Sequence, residues 1–265
     1  MSDNETVTHH RVCHLCEAMC GLVIQTKGAK VVDIRGDRAD PLSRGHICPK
    51  AVALQDIHED PDRLRKPLKR VRSAPGVYHH EAIEWGEAFD LAADALAATI
   101  RDHGVDAVGA YFGNPAVHNY GMLTHQRNLF RHIRTRNRFS ATSVDQLPHH
   151  LVSLWCFGHM LLQPIPDVDR THYFLMLGAN PLASNGSLWT VPDVRRRLKD
   201  LQARGGKLVV IDPRRTETAE MASEHHFIKP GTDATFLLAI IHVLFRDGLA
   251  DPGAMKTYTD GVDEV

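Results

Sequence analysis

The sequence is poor in aromatic residues, nearly neutral and free of long apolar runs. Aromatic side chains make up 6% of its 265 residues, so no stacking surface for nucleic-acid bases is evident. The formal net charge of −1 gives no electrostatic reason to bind nucleic acid or an anionic membrane. No run of about eighteen apolar residues occurs, which predicts that no segment spans a membrane.

Common targeting and nucleotide motifs are also missing. The polar start MSDNETVTHHRV has neither the basic region nor the apolar stretch of a secretory signal. Neither G-x-G-x-x-G nor G-x4-G-K-[ST] occurs, so the sequence supports neither a standard dinucleotide site nor a P-loop.

Cysteine is scarce, yet four of the five cysteines form one group spaced C-x2-C-x3-C-x27-C-P-K. They are Cys13, Cys16, Cys20 and Cys48. Grouped thiolates suit zinc or an iron–sulfur cluster, and zinc knuckles usually offer two arms of two ligands. Three ligands on one loop and a distant fourth favour a [4Fe–4S] cluster, with zinc and unligated or disulfide-paired cysteines as alternatives. Thiolate ligands without an export signal predict a cytoplasmic protein.

Hydrophobic patterning predicts an α/β protein whose first 138 residues form two domains. Short β-branched runs around Lys27-Gly28 predict a hairpin, which makes residues 1–62 a small β module folded around the metal. Residues 58–76 are predicted to be a charged, proline-broken connector at the boundary. Helix, strand and helix periodicity then predicts a first α/β segment over 63–138.

The remaining residues, 139–265, are predicted to begin with an irregular crossover and to continue as a doubly wound sheet. Because ligands bind beyond the carboxyl ends of such strands, three loops are candidates for a phosphorylated nucleotide. These loops are 178–181, 212–216 and 230–233. Asp212 or Asp233 suits ribose or base groups, and Arg214 suits a phosphate. Simple turn chemistry is the alternative for any single loop.

Taken together, the motifs resemble those of the molybdopterin oxidoreductases, over the full length of the chain. The segments concerned are CHLCEAMC, GHICPK, TSVDQLP, GANPLASNGS, VVIDPRRTETA and HHFIKPGTDATFLLAIIHVL. The family includes formate dehydrogenases and nitrate reductases and binds a Mo- or W-bis(molybdopterin guanine dinucleotide). The resemblance implies that the four cysteines hold a [4Fe–4S] cluster and that Lys50 lies between cluster and pterin. It places the nucleotide contacts on Asn180, Ser184, Asp212, Arg214, Gly231 and Asp233.

One departure concerns the residue that binds the pterin-bound metal. Formate dehydrogenase-like members carry a cysteine or selenocysteine ligand a few residues after the Val-Asp that Val144-Asp145 resembles, and QLPHHLVS offers none. His150 is the candidate there, as a ligand or a proton-transfer group, with an ordinary loop histidine as the alternative. Cys156, in apolar LWCFG, is predicted to be a small buried hydrophobe.

The other departure is length, since members of the family are far longer than 265 residues. The resemblance therefore implies the N-terminal portion of an oxidoreductase that acts on a small-molecule substrate and exchanges electrons with a partner subunit or a ferredoxin. The alternative is a non-catalytic iron–sulfur electron-transfer piece or remnant that cannot hold the full cofactor. Neither the substrate nor the choice of Mo or W follows from these residues.

Overall fold

The structure is a computed structural model that describes residues 5–113, 116, 119–186, 189 and 191–264. Contacts along the backbone divide the chain into two units. Unit 1 comprises residues 1–166 and 187–193, and unit 2 comprises residues 167–186 and 194–265. The domain boundaries proposed after residues 62 and 138 stay predictions.

Short strands and helices alternate along both units. In unit 1 the elements are β1 Thr6–Val12, β2 Gly21–Lys27, β3 Lys30–Gly36, α1 Pro49–Val52, α2 Leu54–Glu59, β4 Leu68–Ala74, β5 Val77–Ala82, α3 Trp85–His103, β6 Ala110–Phe112, α4 Tyr120–His132, β7 Arg138–Ser140, α5 Thr142–Asp145 and α6 Leu147–Phe157. In unit 2 they are β8 Tyr173–Leu177, α7 Pro181–Ser184, α8 Val194–Ala203, β9 Lys207–Ile211, α9 Glu217–Met221, β10 Glu224–His226 and α10 Asp233–Arg246. None of the described helices is long and apolar enough to cross a bilayer.

The first three strands form an antiparallel sheet in the order β1-β2-β3. The predicted hairpin is confirmed, because β2 pairs with β3 and Gly28 takes the left-handed φ of 56° that the turn requires. The sequence did not reveal β1, which pairs with β2 along its whole length. Its residues are polar and mostly exposed, so this edge strand lacks the apolar alternation that marks a strand.

The predicted connector at residues 58–76 is wrong from Leu68 onward, because β4 lies there and forms an antiparallel hairpin with β5. Gly76, with φ of 79°, turns the chain between the two strands. Most side chains of the hairpin are exposed, so neither face shows an apolar period. Cross-strand contacts stabilise it instead, including the Arg70 guanidinium 4.6 Å from the centre of the Tyr78 ring.

The first α/β segment of unit 1 is partly as predicted. Helix α3 ends before Gly104, whose φ of 84° stops the helix, as its sequence indicates. Strand β6 is only three residues long and pairs in parallel with β7. The irregular crossover predicted from residue 139 is wrong in its first part, where α6 forms. Pro148 in its first turn and Gly158, with φ of 77°, after its last residue are standard helix boundaries that the prediction overlooked.

Unit 2 is built on a parallel sheet in the order β10-β9-β8. With α8 between the first two strands and α9 before the last, it is the β-α-β-α-β half from which doubly wound sheets are made. Four side chains with 0% exposure form the centre of its core: Leu198, Leu201, Leu208 and Val210. The α/β fold class, with a small N-terminal β module, is confirmed.

The core of unit 2 gives a direct stability prediction. Leu201→Ala empties a fully buried site on α8 and should lower the free energy of unfolding by about 2–5 kcal/mol. Leu238→Ala is the matched control, since this leucine also lies in a helix but is 63% exposed. Urea unfolding followed by circular dichroism measures both, and equal losses for the two variants would contradict the assigned core.

Candidate functional site

Three of the four clustered cysteines lie on the loop that joins β1 to β2. The loop begins at Cys13 and ends at Cys20, and the Cys13 amide donates to the Cys20 carbonyl at 2.9 Å, which closes it. Inside it, the Met19 amide donates to the Cys16 carbonyl, and Met19 takes a left-handed φ of 47°. The adjacent strands β1 and β2 thus hold both ends of a tight loop that carries three thiols.

The fourth cysteine, Cys48, precedes α1 at the end of the loop that follows β3. Ser43, 1% exposed, ties this loop to the sheet, because its hydroxyl accepts from the Gly21 amide at 3.0 Å and donates to Asp40 at 2.5 Å. The hydrogen bonds from Ser43 hold the pKa of Asp40 below its usual value. The loop also needs Gly36, because a Cβ there would lie 2.0 Å from the Gly45 carbonyl oxygen.

These two loops bring the four thiols into one pocket. None of the cysteines is in a disulfide. Burial raises the pKa of Cys20 to about 11, and repulsion from Cys13, Cys16 and Cys48 adds to it, so all four sulfur atoms are near one another. A cluster of apolar side chains surrounds the pocket: Ala18, Leu22, Ile34 and Ala51. The Cys20 thiol therefore stays protonated at neutral pH unless a bound cation favours its thiolate.

The chemistry of the four donors, all of them thiols, suits a cubane. The iron atoms of a cubane are farther apart than the donor positions around one zinc ion, so ligands that converge more loosely suit it. The donor set, four thiols in an apolar shell, is that of a [4Fe–4S] cluster.

Lys50 lies in α1, two residues after Cys48. Burial raises the pKa of Cys13, and the positive charge of Lys50 acts on the same thiol in the opposite direction. The lysine is exposed, so it places a solvated positive charge beside the sulfur pocket without filling it. Its position is compatible with the predicted contact to a pterin, and that role stays a prediction.

In unit 2, the loops after β8 and β9 meet at the carboxyl edge of the sheet. The Gly178 amide donates to the Ile211 carbonyl at 2.9 Å. The Asn180 carboxamide donates to Glu217 at 2.7 Å, and its oxygen accepts from the Thr218 hydroxyl at 2.7 Å. Sequence patterns did not identify Glu217 and Thr218 as partners, since a contact between residues 38 positions apart leaves no local signal.

The other predicted nucleotide residues are only partly brought together. Ser184 is in α7 and its hydroxyl donates to the Asn180 carbonyl at 3.4 Å. Asp212 is 6% exposed, and its carboxylate accepts from the Arg214 amide at 2.7 Å. Gly231 and Asp233 follow β10, and in the described part of the chain no hydrogen bond joins them to the other two loops. One edge of the sheet thus carries four of the six residues on connected loops.

His150 and Cys156 differ from their expected settings. His150 is in α6, not in a loop, and is 7% exposed. Its Nδ1 lies 3.0 Å from the Met160 carbonyl oxygen and its Nε2 lies 3.3 Å from Gln146 Oε1, so both ring nitrogens have partners. Its role as a ligand or proton-transfer group stays a prediction. The buried setting predicted for Cys156 is wrong, since its side chain is on the exposed face of α6.

Comparison with protein families identifies both parts of the chain. The profile of the molybdopterin oxidoreductase Fe4S4 domain matches residues 6–59, the part that carries the cysteines. The profile of molybdopterin oxidoreductase matches residues 63–264. The chain belongs to the molybdopterin oxidoreductase family. The predicted resemblance is confirmed, and the two domains indicate a [4Fe–4S] cluster and a molybdopterin cofactor, for which the Mo- or W-bis(molybdopterin guanine dinucleotide) type is typical of the family.

Individual relatives agree with this assignment. A probable oxidoreductase, YoaE, of Bacillus subtilis is 30% identical over 96% of this chain and 36% of its own length. The F420-dependent formate dehydrogenase 2 subunit alpha of Methanococcus maripaludis is 27% identical over 97% and 36%. Acetylene hydratase from Pelobacter acetylenicus superposes with a TM-score of 0.73 at 27% identity, covering 96% of this chain and 34% of that one. This molybdopterin oxidoreductase chain spans about a third of the length of the relatives it matches.

Gly36 offers a test of how Cys48 is positioned in this molybdopterin oxidoreductase. Gly36→Ala should displace the loop that ends at Cys48, because the new methyl group would overlap the Gly45 carbonyl, and iron incorporation should fall. Iron per chain after anaerobic reconstitution is the measurement. Gly86→Ala is the control, since its Cβ would have no neighbouring atom within 4 Å. Full iron content in the Gly36 variant would show that this loop does not position the fourth ligand.

Proposed function

We propose that this chain is the part of a molybdopterin-dependent oxidoreductase in which electrons move between a Mo- or W-bis(molybdopterin guanine dinucleotide) centre and a [4Fe–4S] cluster. The observation that carries the proposal is the convergence of four free thiols in one apolar pocket of a chain from this family. Because the chain spans a third of its relatives, substrate, partners and complete activity belong to the proposal.

The small N-terminal β module that carries the four cysteines has three physical tasks. Cys13, Cys16, Cys20 and Cys48 bind the iron atoms. The apolar side chains around them keep water from the sulfur atoms, which tunes the reduction potential. Lys50 adds a positive charge at the rim and favours the more negative, reduced cluster. When bound, the cluster supplies one-electron transfer and the pterin-held metal supplies oxidation or reduction of a small-molecule substrate.

The loops of unit 2 hold the nucleotide part of the cofactor in this proposal. Asn180 acts by fixing the loop after β8, because its carboxamide is engaged with Glu217 and Thr218. Arg214 is exposed and is the group for a phosphate, while the buried Asp212 holds the Arg214 backbone in place. Ser184, Gly231 and Asp233 complete the proposed set, and His150 is proposed as a ligand of the pterin-bound metal or as a proton-transfer group.

The electron partner is proposed to be another subunit or a ferredoxin. Two relatives are named as alpha subunits of F420-dependent formate dehydrogenases, which supports a multisubunit assembly. A cytoplasmic location is proposed on the reducing conditions that four free thiols require.

Cofactor analysis tests the proposal. Protein purified anaerobically from its own source should contain iron, either Mo or W, and guanine nucleotide released on acid hydrolysis of the pterin. The same measurement tests the alternative, a non-catalytic iron–sulfur electron-transfer piece or remnant. Iron and sulfide without Mo, W or guanine nucleotide would replace the first function by the second.

Lys50→Ala tests the role of the lysine. The variant should keep its iron, since Lys50 is not a ligand, but its cluster should have a more negative midpoint potential because a nearby positive charge is lost. Redox titration followed by electron paramagnetic resonance measures this shift. Lys30→Ala, an exposed lysine in the same module, should leave the potential unchanged. Equal potentials for Lys50→Ala and the unaltered protein would show that the charge of Lys50 does not tune the cluster.

A further inference from the structure

The hairpin of β4 and β5 carries different residues on its two faces. Alternate residues of a strand point to the same face of a sheet, and directly paired residues share a face. Arg70 pairs with His80 in the register of the two strands. Arg72 pairs with Tyr78, so these four side chains lie together on what we call the arginine face. Lys69, between the two arginines in the sequence, points to the opposite face.

The lysines of this region have acidic partners within the chain. The Lys69 ammonium lies 3.2 Å from a carboxylate oxygen of Glu87 in α3. Lys66, which precedes β4, pairs with Glu84, the residue before α3. Lys69 is also half-buried, whereas its neighbours Arg70 and Arg72 are exposed. The lysine charges are therefore balanced by residues at the start of α3.

The charges of the arginine face are not balanced in this way. Among the described residues, no carboxylate forms an ion pair with Arg70 or Arg72. The Arg70 guanidinium lies 4.6 Å from the centre of the Tyr78 ring, and the Nε of Arg72 donates to the Ala74 carbonyl at 3.4 Å. A guanidinium that lies over a ring keeps the N–H donors in its plane available. The face thus presents two positioned cations with unused donors.

The residue types on the arginine face are those of a protein–protein contact. Arginine and tyrosine are enriched at interfaces and among the residues that contribute most to binding, whereas lysine and glutamate are depleted there. The Tyr78 side chain is 48% exposed, so a partner can still cover part of it. Nucleic acid and anionic membranes suit the chain less well, because its net charge is −1.

We propose that the arginine face binds an extended acidic segment of a partner protein. Two residues of a strand span roughly 7 Å, so carboxylates at alternate positions of an extended segment match the spacing of Arg70 and Arg72. Each carboxylate can accept two hydrogen bonds from one guanidinium. The residues between the carboxylates would cover the ring of Tyr78. This surface goes beyond the proposed function, because it needs neither the cluster nor the pterin cofactor.

Fluorescence anisotropy with the full chain at physiological ionic strength tests the proposal. The probe is a fluorescein-labelled peptide of alternating glutamate and glycine, and the neutral control peptide has glutamine in place of glutamate. The acidic peptide should bind saturably. The neutral peptide should bind about tenfold more weakly or worse, because it makes no charge-assisted hydrogen bonds. A labelled single-stranded DNA is the third probe and should bind more weakly than the acidic peptide.

Variants locate the binding on one face of the hairpin. Arg70→Gln and Arg72→Gln should each weaken binding of the acidic peptide by about threefold to tenfold. Lys69→Gln is the matched control, since it removes the same charge from the same strand but on the opposite face. It should change binding by less than about twofold, because salt screens a charge on the far side of the hairpin. Circular dichroism confirms that each variant is folded.

Four results would each overturn the proposal. The acidic peptide does not bind, or the neutral peptide binds as tightly. Lys69→Gln weakens binding as much as Arg70→Gln does. The single-stranded DNA binds more tightly than the acidic peptide and loses its affinity in Arg70→Gln, which would assign the arginine face to nucleic acid.

Discussion

The structure depends on gathering four thiols, of which Cys13 and Cys20 are buried, that must lose their protons before they can bind metal. Burial and mutual repulsion both raise the pKa of Cys20, so the pocket is unfavourable for thiolates unless a cation is present. Such a pocket is stable only if the surrounding chain forces the sulfur atoms together. The three-stranded sheet provides that constraint for Cys13 and Cys20, and the hydrogen bonds of Ser43 provide it for the loop that leads to Cys48.

In unit 2 the structure must position loops at the edge of a parallel sheet. Parallel strands place successive loops at one edge, and side-chain hydrogen bonds then fix those loops relative to each other. Asn180 connects the loop after β8 to the start of α9, and Asp212 holds the backbone at Arg214. The polar groups most suited to hold a nucleotide are thereby set by contacts between loops, while the strands below them supply a rigid, buried support.

Sequence patterns predicted the parts of the fold that have a local period or a short spacing. The cysteine spacing, the β2–β3 hairpin, α3 and the parallel strands β8 and β9 all follow from residues close together in the chain. Sequence patterns did not predict the strands β1, β4 and β5, because most of their residues are exposed and show no apolar alternation. Their pairing is set by partners across the sheet. The pairing of Glu217 with Asn180 depends on a tertiary contact that leaves no local pattern.

The central claim is that the four cysteines hold one cubane. The most direct measurement is metal and sulfide analysis of the full chain after anaerobic reconstitution, combined with electron paramagnetic resonance of the reduced protein. The account predicts iron and sulfide in the ratio of one [4Fe–4S] cluster per chain and a signal from a reduced cubane, both lost in Cys16→Ser and kept in Cys156→Ser. Stoichiometric zinc without iron, or an iron content that does not depend on Cys16, would contradict it.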